Sequence, residues 1–456
     1  MFKVNNGHTR DAWGVVFVKM KFQIIAILCI AIIFSSCGVA KKDNALTLSN
    51  VSNLTNEQWI EDINYLEKNL AKKHTNVYHT ITKEEYEKEF SDLKKEVPEL
   101  KEYEIKLKLA QIVASVGDAH TALRVNLEIR FKDGTNLYPF QLHWFGDDLK
   151  IIAIDRNYEK FLGNTLISVN NTPTKEVMAK INTLISHENE QWSKNLNEEL
   201  IRIPEVLRFL NITKENKVQF SFSDDKGNIT KLNLSPQTGK LENMISVEDS
   251  LTKTVSMYNN DMNDYDNAFW YKYIPDDKIM YFQYNQCIDR NIAKHYGIEN
   301  YEKYPDFNKF TDELIKELND KKIDKFIIDL RYNRGGDSGL MNGFARKLSN
   351  ITKLNGKIFV LIDKNTFSSG VIACVSLKKI TNAIFIGEPT GGNVNCYGDI
   401  KKLILPNSKI PISYSTEYFE LAPEYEENFT PDIPIEQSYI DYTKGIDDVY
   451  EAARAF

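Results

Sequence analysis

Three short apolar runs between residues 326 and 392 constrain the fold of this chain more than any other feature. Residues 326–330, 358–362 and 383–386 are rich in Ile, Phe and Val and are bounded by Gly, Pro or Asn, which marks buried strands. Between the first two, Leu340, Met341, Phe344, Ala345 and Leu348 recur at helical spacing, and between the last two Val371, Ile372, Val375 and Leu377 do the same. This β-α-β-α-β order predicts an α/β fold with parallel strands and crossover helices. Ligands in such sheets sit beyond the carboxyl ends of the strands.

Two loops fall at that place. Arg334-Gly335-Gly336 follows the first strand, and Thr366-Phe367-Ser368-Ser369-Gly370 follows the second. Adjacent glycines can turn backbone N–H groups towards a ligand without steric cost. Ser368 stands where a helix begins, a position that favours negative charge. These are the parts of an oxyanion hole and a nucleophile.

The run Asp329-Leu330-Arg331-Tyr332-Asn333-Arg334-Gly335-Gly336, then Thr366-Phe367-Ser368-Ser369, then Gly387-Glu388-Pro389-Thr390-Gly391-Gly392 resembles the motif series of the carboxyl-terminal-processing serine proteases, to which the tricorn protease is related. The resemblance covers roughly residues 270–440. It implies a ClpP/crotonase-like core, peptide-bond hydrolysis and no cofactor. It also implies Ser368 as nucleophile, with oxyanion donors from the N–H of Ser369 and from Gly335 or Gly336. The processing branch has a lysine base just after the glycines of the third motif, where this chain has Asn393. Asparagine cannot take a proton.

The tricorn-like branch takes its base from a histidine in an amino-terminal segment. Here Gly117-Asp118-Ala119-His120-Thr121-Ala122-Leu123 resembles that histidine motif and follows a helical pattern carrying Trp59, Ile63, Leu66 and Leu70, then Ile105, Leu109, Ile112 and Val113. A neutral imidazole suits a serine nucleophile at neutral pH, so His120 is the expected base. His8, His74, His79, His143, His187 and His295 are read as structural. Near the carboxyl end, Pro431-Asp432-Ile433 resembles the closing motif of the family, and Glu426 or Glu427 would supply the acid that completes a tricorn-type site. Ala119 departs from tricorn, which has serine before its histidine, so the group that orients His120 stays open.

Bulk properties narrow the partners. The net charge of -7 and the lack of any long basic cluster argue against nucleic acid, which requires phosphate neutralisation. Among Cys29, Cys37, Cys287, Cys374 and Cys396 there is no C-x-x-C pair, so no zinc or redox site is read. Residues 22–36 form an apolar run behind Lys19 and Lys21, too short to span a membrane. It reads as a signal peptide, with Met20 as an alternative start. Its end, Ser35-Ser36-Cys37-Gly38, resembles the lipobox of bacterial lipoproteins, which implies lipid on Cys37 and attachment to the cell envelope.

The expected organisation is a leader over 1–36, a tether over 37–53, a helical segment over 54–128 carrying His120, a β-rich and PDZ-like domain over 129–245, and the protease core over 246–456. PDZ-like domains take peptides by strand addition. Strands are expected at 149–154, 218–222 and 229–234, with three short ones at 402–405, 410–414 and 417–421, and a closing helix at 449–455. Aromatic residues around Tyr281 and Tyr284 are read mainly as packing. The function expected is a lipid-anchored serine peptidase acting on peptides or unfolded proteins, the rival reading being a binding lipoprotein on the same scaffold.

Overall fold

The computed structural model describes residues 53–123, 136–237, 243–251 and 265–456. The leader, Cys37 and nearly all of the tether lie outside the described residues. Among those described, no helix is long and apolar enough to cross a membrane.

The amino-terminal part is helical. Helices α1 (Asn56–Lys73) and α2 (Lys83–Glu96) each open with a capping box, Thr55 with Gln58 and Thr82 with Glu85, devices worth about 1 kcal/mol each. Helix α3 (Glu102–Ala114) buries Ile105, Leu109, Ile112 and Val113. The chain then turns at Gly117, which has φ 74°, and delivers the segment bearing His120.

The middle holds a sheet ordered β1 (Phe140–Phe145), β2 (Asp148–Asp155), β3 (Thr165–Val169), β5 (Val218–Ser223) and β6 (Ile229–Leu234), with β4 (Thr172–Pro173) on β3 and β7 (Met244–Ser246) on β2. The β-rich texture expected here is only half of the account. Three helices interrupt it: α4 (Thr174–Asn182), α5 (Glu190–Leu200) and α6 (Pro204–Phe209). Helix α5 is capped by Asn189, whose side chain accepts from the Trp192 N–H, and it becomes part of the site.

The carboxyl-terminal half is built on a six-stranded sheet ordered β15 (Ile433–Pro434), β12 (Ile384–Gly387), β11 (Ile358–Ile362), β10 (Lys325–Asp329), β9 (Ile279–Tyr284) and β8 (Phe269–Ile274). Neighbours from β9 to β15 pair in parallel, and β8 runs antiparallel to β9. All residues of β9 and β11 are buried, as parallel strands covered on both faces require. Alternate residues face opposite cores. Phe326 and Ile328 join the face covered by α8 (Phe307–Asp320), α9 (Gly339–Ser349) and α10 (Ser369–Thr381), after the short α7 (Arg290–His295). Ile327, Phe359 and Leu361 face Val449 and Tyr450 of the closing helix α12 (Asp448–Ala455), which follows the single turn α11 (Tyr439–Tyr442).

Beyond β12 stands a separate antiparallel hairpin, β13 (Cys396–Ile404) with β14 (Pro411–Phe419). The three short strands expected there are therefore two long ones. Their alternation is broken at Asp399, where φ is 50° and the Thr416 hydroxyl donates to the Asp399 backbone oxygen at 2.6 Å. Lys401 and Lys402 add an exposed polar pair inside β13, so neither strand keeps a clean period of two.

Candidate active site

The loop after β10 is organised by Asn333, which is fully buried. Its Nδ2 donates to the Tyr284 carbonyl at 2.8 Å, its Oδ1 accepts from the Gly335 N–H at 2.9 Å, and its backbone oxygen accepts from the Phe367 N–H at 2.9 Å. One residue thus fixes the glycine pair against the loop after β11. A second tie runs from the Ser369 hydroxyl to the Gly336 carbonyl at 2.6 Å. Gly336 has φ 134°, and a Cβ there would lie 2.3 Å from the Cys287 carbonyl oxygen, so no other residue fits.

The turn between β11 and α10 carries Ser368 with φ 52° and ψ -124°. A serine in this region is strained by about 1–3 kcal/mol. Its side chain makes no capping hydrogen bond to the helix it precedes, so helix capping does not account for the strain. A sharp strand-to-helix turn of this kind projects a nucleophile clear of the backbone. Gly392 of the third motif permits it, since a Cβ there would sit 3.1 Å from the Ser368 backbone nitrogen.

The donors expected for an oxyanion separate here. The N–H of Gly335 is committed to Asn333. Among the described residues, the N–H groups of Gly336 and Ser369 donate to no protein acceptor. Ser369 opens α10, where such groups carry the positive end of the helix dipole.

His120 arrives from a segment stitched to β14. The Ala122 N–H donates to the Ser413 carbonyl at 3.1 Å, the Ser413 N–H returns a bond to the Ala122 carbonyl at 3.0 Å, and the Ser415 N–H donates to Thr121 Oγ1 at 3.1 Å. The imidazole is buried and stacks on Phe367, centroids 4.6 Å apart, while Phe367 stacks on Trp192 of α5 at 4.0 Å. Three parts of the chain therefore meet in one ring stack. Ser368 and His120 line a single pocket with Asn393, Cys396, Asp399 and Phe419.

Beneath the imidazole lies Asp118, fully buried. It accepts from the His120 N–H at 2.8 Å, the Thr121 hydroxyl at 2.6 Å, the Ser415 hydroxyl at 2.5 Å and His74 Nε2 at 3.2 Å. His74 Nδ1 accepts from the Asn76 N–H at 3.0 Å, which leaves Nε2 as the donor. Burial alone would raise the Asp118 carboxyl, but the bond from His74, the adjacent His120 and the two hydroxyls outweigh it and hold the group well below the carboxylate range. Asp118 Oδ1 lies 3.8 Å from His120 Nδ1. His74, read from sequence as a plain structural histidine, thus belongs to the network behind His120.

A second carboxyl approaches from the middle region. Atoms of Asp118, His120 and Glu188 lie within 4.8 Å of one another. That spacing would suit a metal ion, but the Asp118 oxygens already accept the four bonds just named, so the trio is better described as an acid–imidazole network. By contrast, Glu426 and Glu427, the acids suggested by the family resemblance, have exposed side chains and do not line the pocket. What Glu427 contributes to this region is its backbone carbonyl, which accepts from the Val394 N–H at 2.9 Å. Asn393 serves as a docking point, since its Oδ1 accepts from Asn189 Nδ2 at 2.8 Å, and Asn189 also reaches the Gly391 carbonyl at 3.0 Å.

No protein-family model and no curated protein matches the sequence. Solved structures do match. The structure of mature CPAF complexed with lactacystin aligns over 88% of this chain and 98% of its own at 11% identity and TM-score 0.57. Mature CPAF alone aligns over 87% and 96% at 12% identity and TM-score 0.57. The photosystem II D1 C-terminal processing protease aligns over 88% and 97% at 12% identity, with a TM-score of 0.37 that is too loose to carry an argument.

Proposed function

Taking as premise that the chain carries the α/β fold of the carboxyl-terminal-processing proteases, as its motif series led one to expect, we propose that it is a serine peptidase with Ser368 as nucleophile and His120 as general base. The observation that carries this reading is the strained, uncapped backbone of Ser368 in a pocket shared with His120. Strain of that size in a structural turn would be relieved by glycine, whereas a nucleophile projected from the turn gives it a purpose.

With its Nδ1 edge towards Asp118, His120 offers Nε2 to the Ser368 hydroxyl. It takes that proton as Oγ attacks the peptide carbonyl, and the imidazolium formed is stabilised by ionised Asp118. The tetrahedral oxygen is received by the N–H groups of Gly336 and Ser369. His120 then protonates the leaving amine, and water hydrolyses the acyl-enzyme. Substrates are peptides or unfolded proteins, and the chain is held at the cell envelope by lipid on Cys37. Ser368→Ala is expected to abolish hydrolysis of denatured casein and labelling by a fluorophosphonate probe while circular dichroism stays unchanged; an alanine variant that still labels and cleaves refutes the assignment. Mass spectrometry of membrane-extracted protein is expected to find a lipidated Cys37 terminus, and an intact Met1 or Met20 terminus excludes it.

A further inference from the structure

A second carboxyl reaches the surroundings of His120 from the middle region. Residues 188–192 form the lead-in and first turn of α5, and three contacts press them onto the nucleophile side of the site. Asn189 donates to both Gly391 and Asn393. Trp192 stacks on Phe367, and Gly391 lets this happen, since a Cβ there would lie 2.9 Å from the Trp192 ring. The residue placed at the tip of this wedge is Glu188. Its two carboxyl oxygens are buried, and neither reaches full hydrogen-bond geometry with a neighbour. The backbone N–H groups of Asn393 and Ala119, together with the Asp118 carboxyl, are the groups that polarise it. A carboxyl buried in this way costs several kcal/mol of desolvation unless something nearby uses it.

We propose that Glu188 is the positioning acid of His120, held against the imidazole by the docked start of α5 and acting jointly with Asp118. The proposal rests on His120 being the base. Glu188 takes the place that the family resemblance would have given to Glu426 or Glu427. The chemistry of the two carboxyls differs. Asp118 is held in its ionised form by its donors, whereas burial first and then the charge of Asp118 push the Glu188 carboxyl well above its ordinary range, which favours its protonated form. A protonated carboxyl can still accept from an imidazole N–H through its carbonyl oxygen. It limits tilting of the ring and adds no second negative charge beside the base. Glutamine, which keeps one carbonyl acceptor and one N–H donor at the same reach, should replace it in large part.

The test uses the full-length chain, with denatured casein as substrate and a fluorophosphonate as active-site probe. Glu188→Ala is expected to lower kcat about 100-fold with KM within about twofold, the size of effect associated with a misplaced base. Glu188→Gln is expected to recover at least tenfold of that loss, and joint substitution of Glu426 and Glu427 by alanine is expected to leave kcat within about twofold. The inference is overturned if Glu188→Ala keeps kcat within about threefold of the parent. It is equally overturned if the Ala and Gln variants are equally impaired with equally lowered melting temperatures, which would mark a packing role. An active His120→Ala variant, by contrast, removes the underlying base assignment, so the two failures are distinguishable.

Discussion

The two halves of the site are made in different ways. Ser368, Gly336 and Ser369 are placed by two loops at adjacent strand ends, tied by Asn333 and by the bond from Ser369 to Gly336. His120 and Glu188 belong to elements far away in sequence, the first pinned by β14 and the second by the start of α5. Local chain geometry suffices for the first half, because parallel strands end side by side and glycines admit the close approaches. The second half exists only through tertiary contacts, chiefly the stack of His120, Phe367 and Trp192. On the proposed assignment, the nucleophile and its oxyanion donors are held by local geometry while the base depends on how well two other regions dock.

The sharpest way to break this comparison is to remove the base. His120→Ala is expected to lower kcat about 1,000-fold or more, read by casein hydrolysis, whereas Asn393→Ala should cost only a few-fold through looser seating of Asn189. If the Asn393 variant falls as far as the His120 variant, the third motif supplies more than a docking point. Next in size is a stability effect confined to the local half. Ser368→Gly should raise the unfolding free energy by roughly 1 kcal/mol, since glycine adopts φ 52° freely although it gains entropy when unfolded. The same variant should be inactive, and thermal denaturation measures the gain; a lower melting temperature would show that Ser368 is not strained.

The smallest effect expected is on pH dependence. Asp363, in the loop leading to Ser368, is half-buried near Glu388, and desolvation first, then that neighbour, push it up to about 7 despite bonds from Asn365 and the nearby Arg331. A carboxyl raised in the folded state favours folding while protonated. Its contribution is therefore fully present below the ordinary value near ~3.9 and is lost as pH rises through about 7. Asp363→Asn should flatten the fall in stability over that window by a fraction of ~1.4 kcal/mol per pH unit. Asp118 works in the opposite sense, because its lowered carboxyl withdraws support only as the solution becomes acid.

The same division explains what could be read from the sequence. Strands 326–330 and 358–362 stand out because each is a continuous apolar run between breakers, and the structure finds them within one residue. The loops that carry Ser368 and the glycine pair were legible as turns at strand ends because turn chemistry is local. His120 could be suggested only by a short motif, and Glu188 carried no local signal at all. The helix after it did: Asn189 caps, and Trp192, Leu196 and Leu200 recur at helical spacing, a pattern hidden by the β-rich stretches around it. Glu426 and Glu427 misled because an acidic loop looks the same whether its side chains turn inward or, as here, to solvent.

The stitching of the His120 segment to β14 has a bearing on biosynthesis. Ser413 and Ser415 lie downstream of the nucleophile, so a growing polypeptide contains both reacting groups well before it contains the strand that brings them together. On the proposed assignment, a nascent chain ending anywhere before β14 has a serine without its base. On that reading the last strand of the hairpin arms the site, so that activity and completion of the fold arrive together.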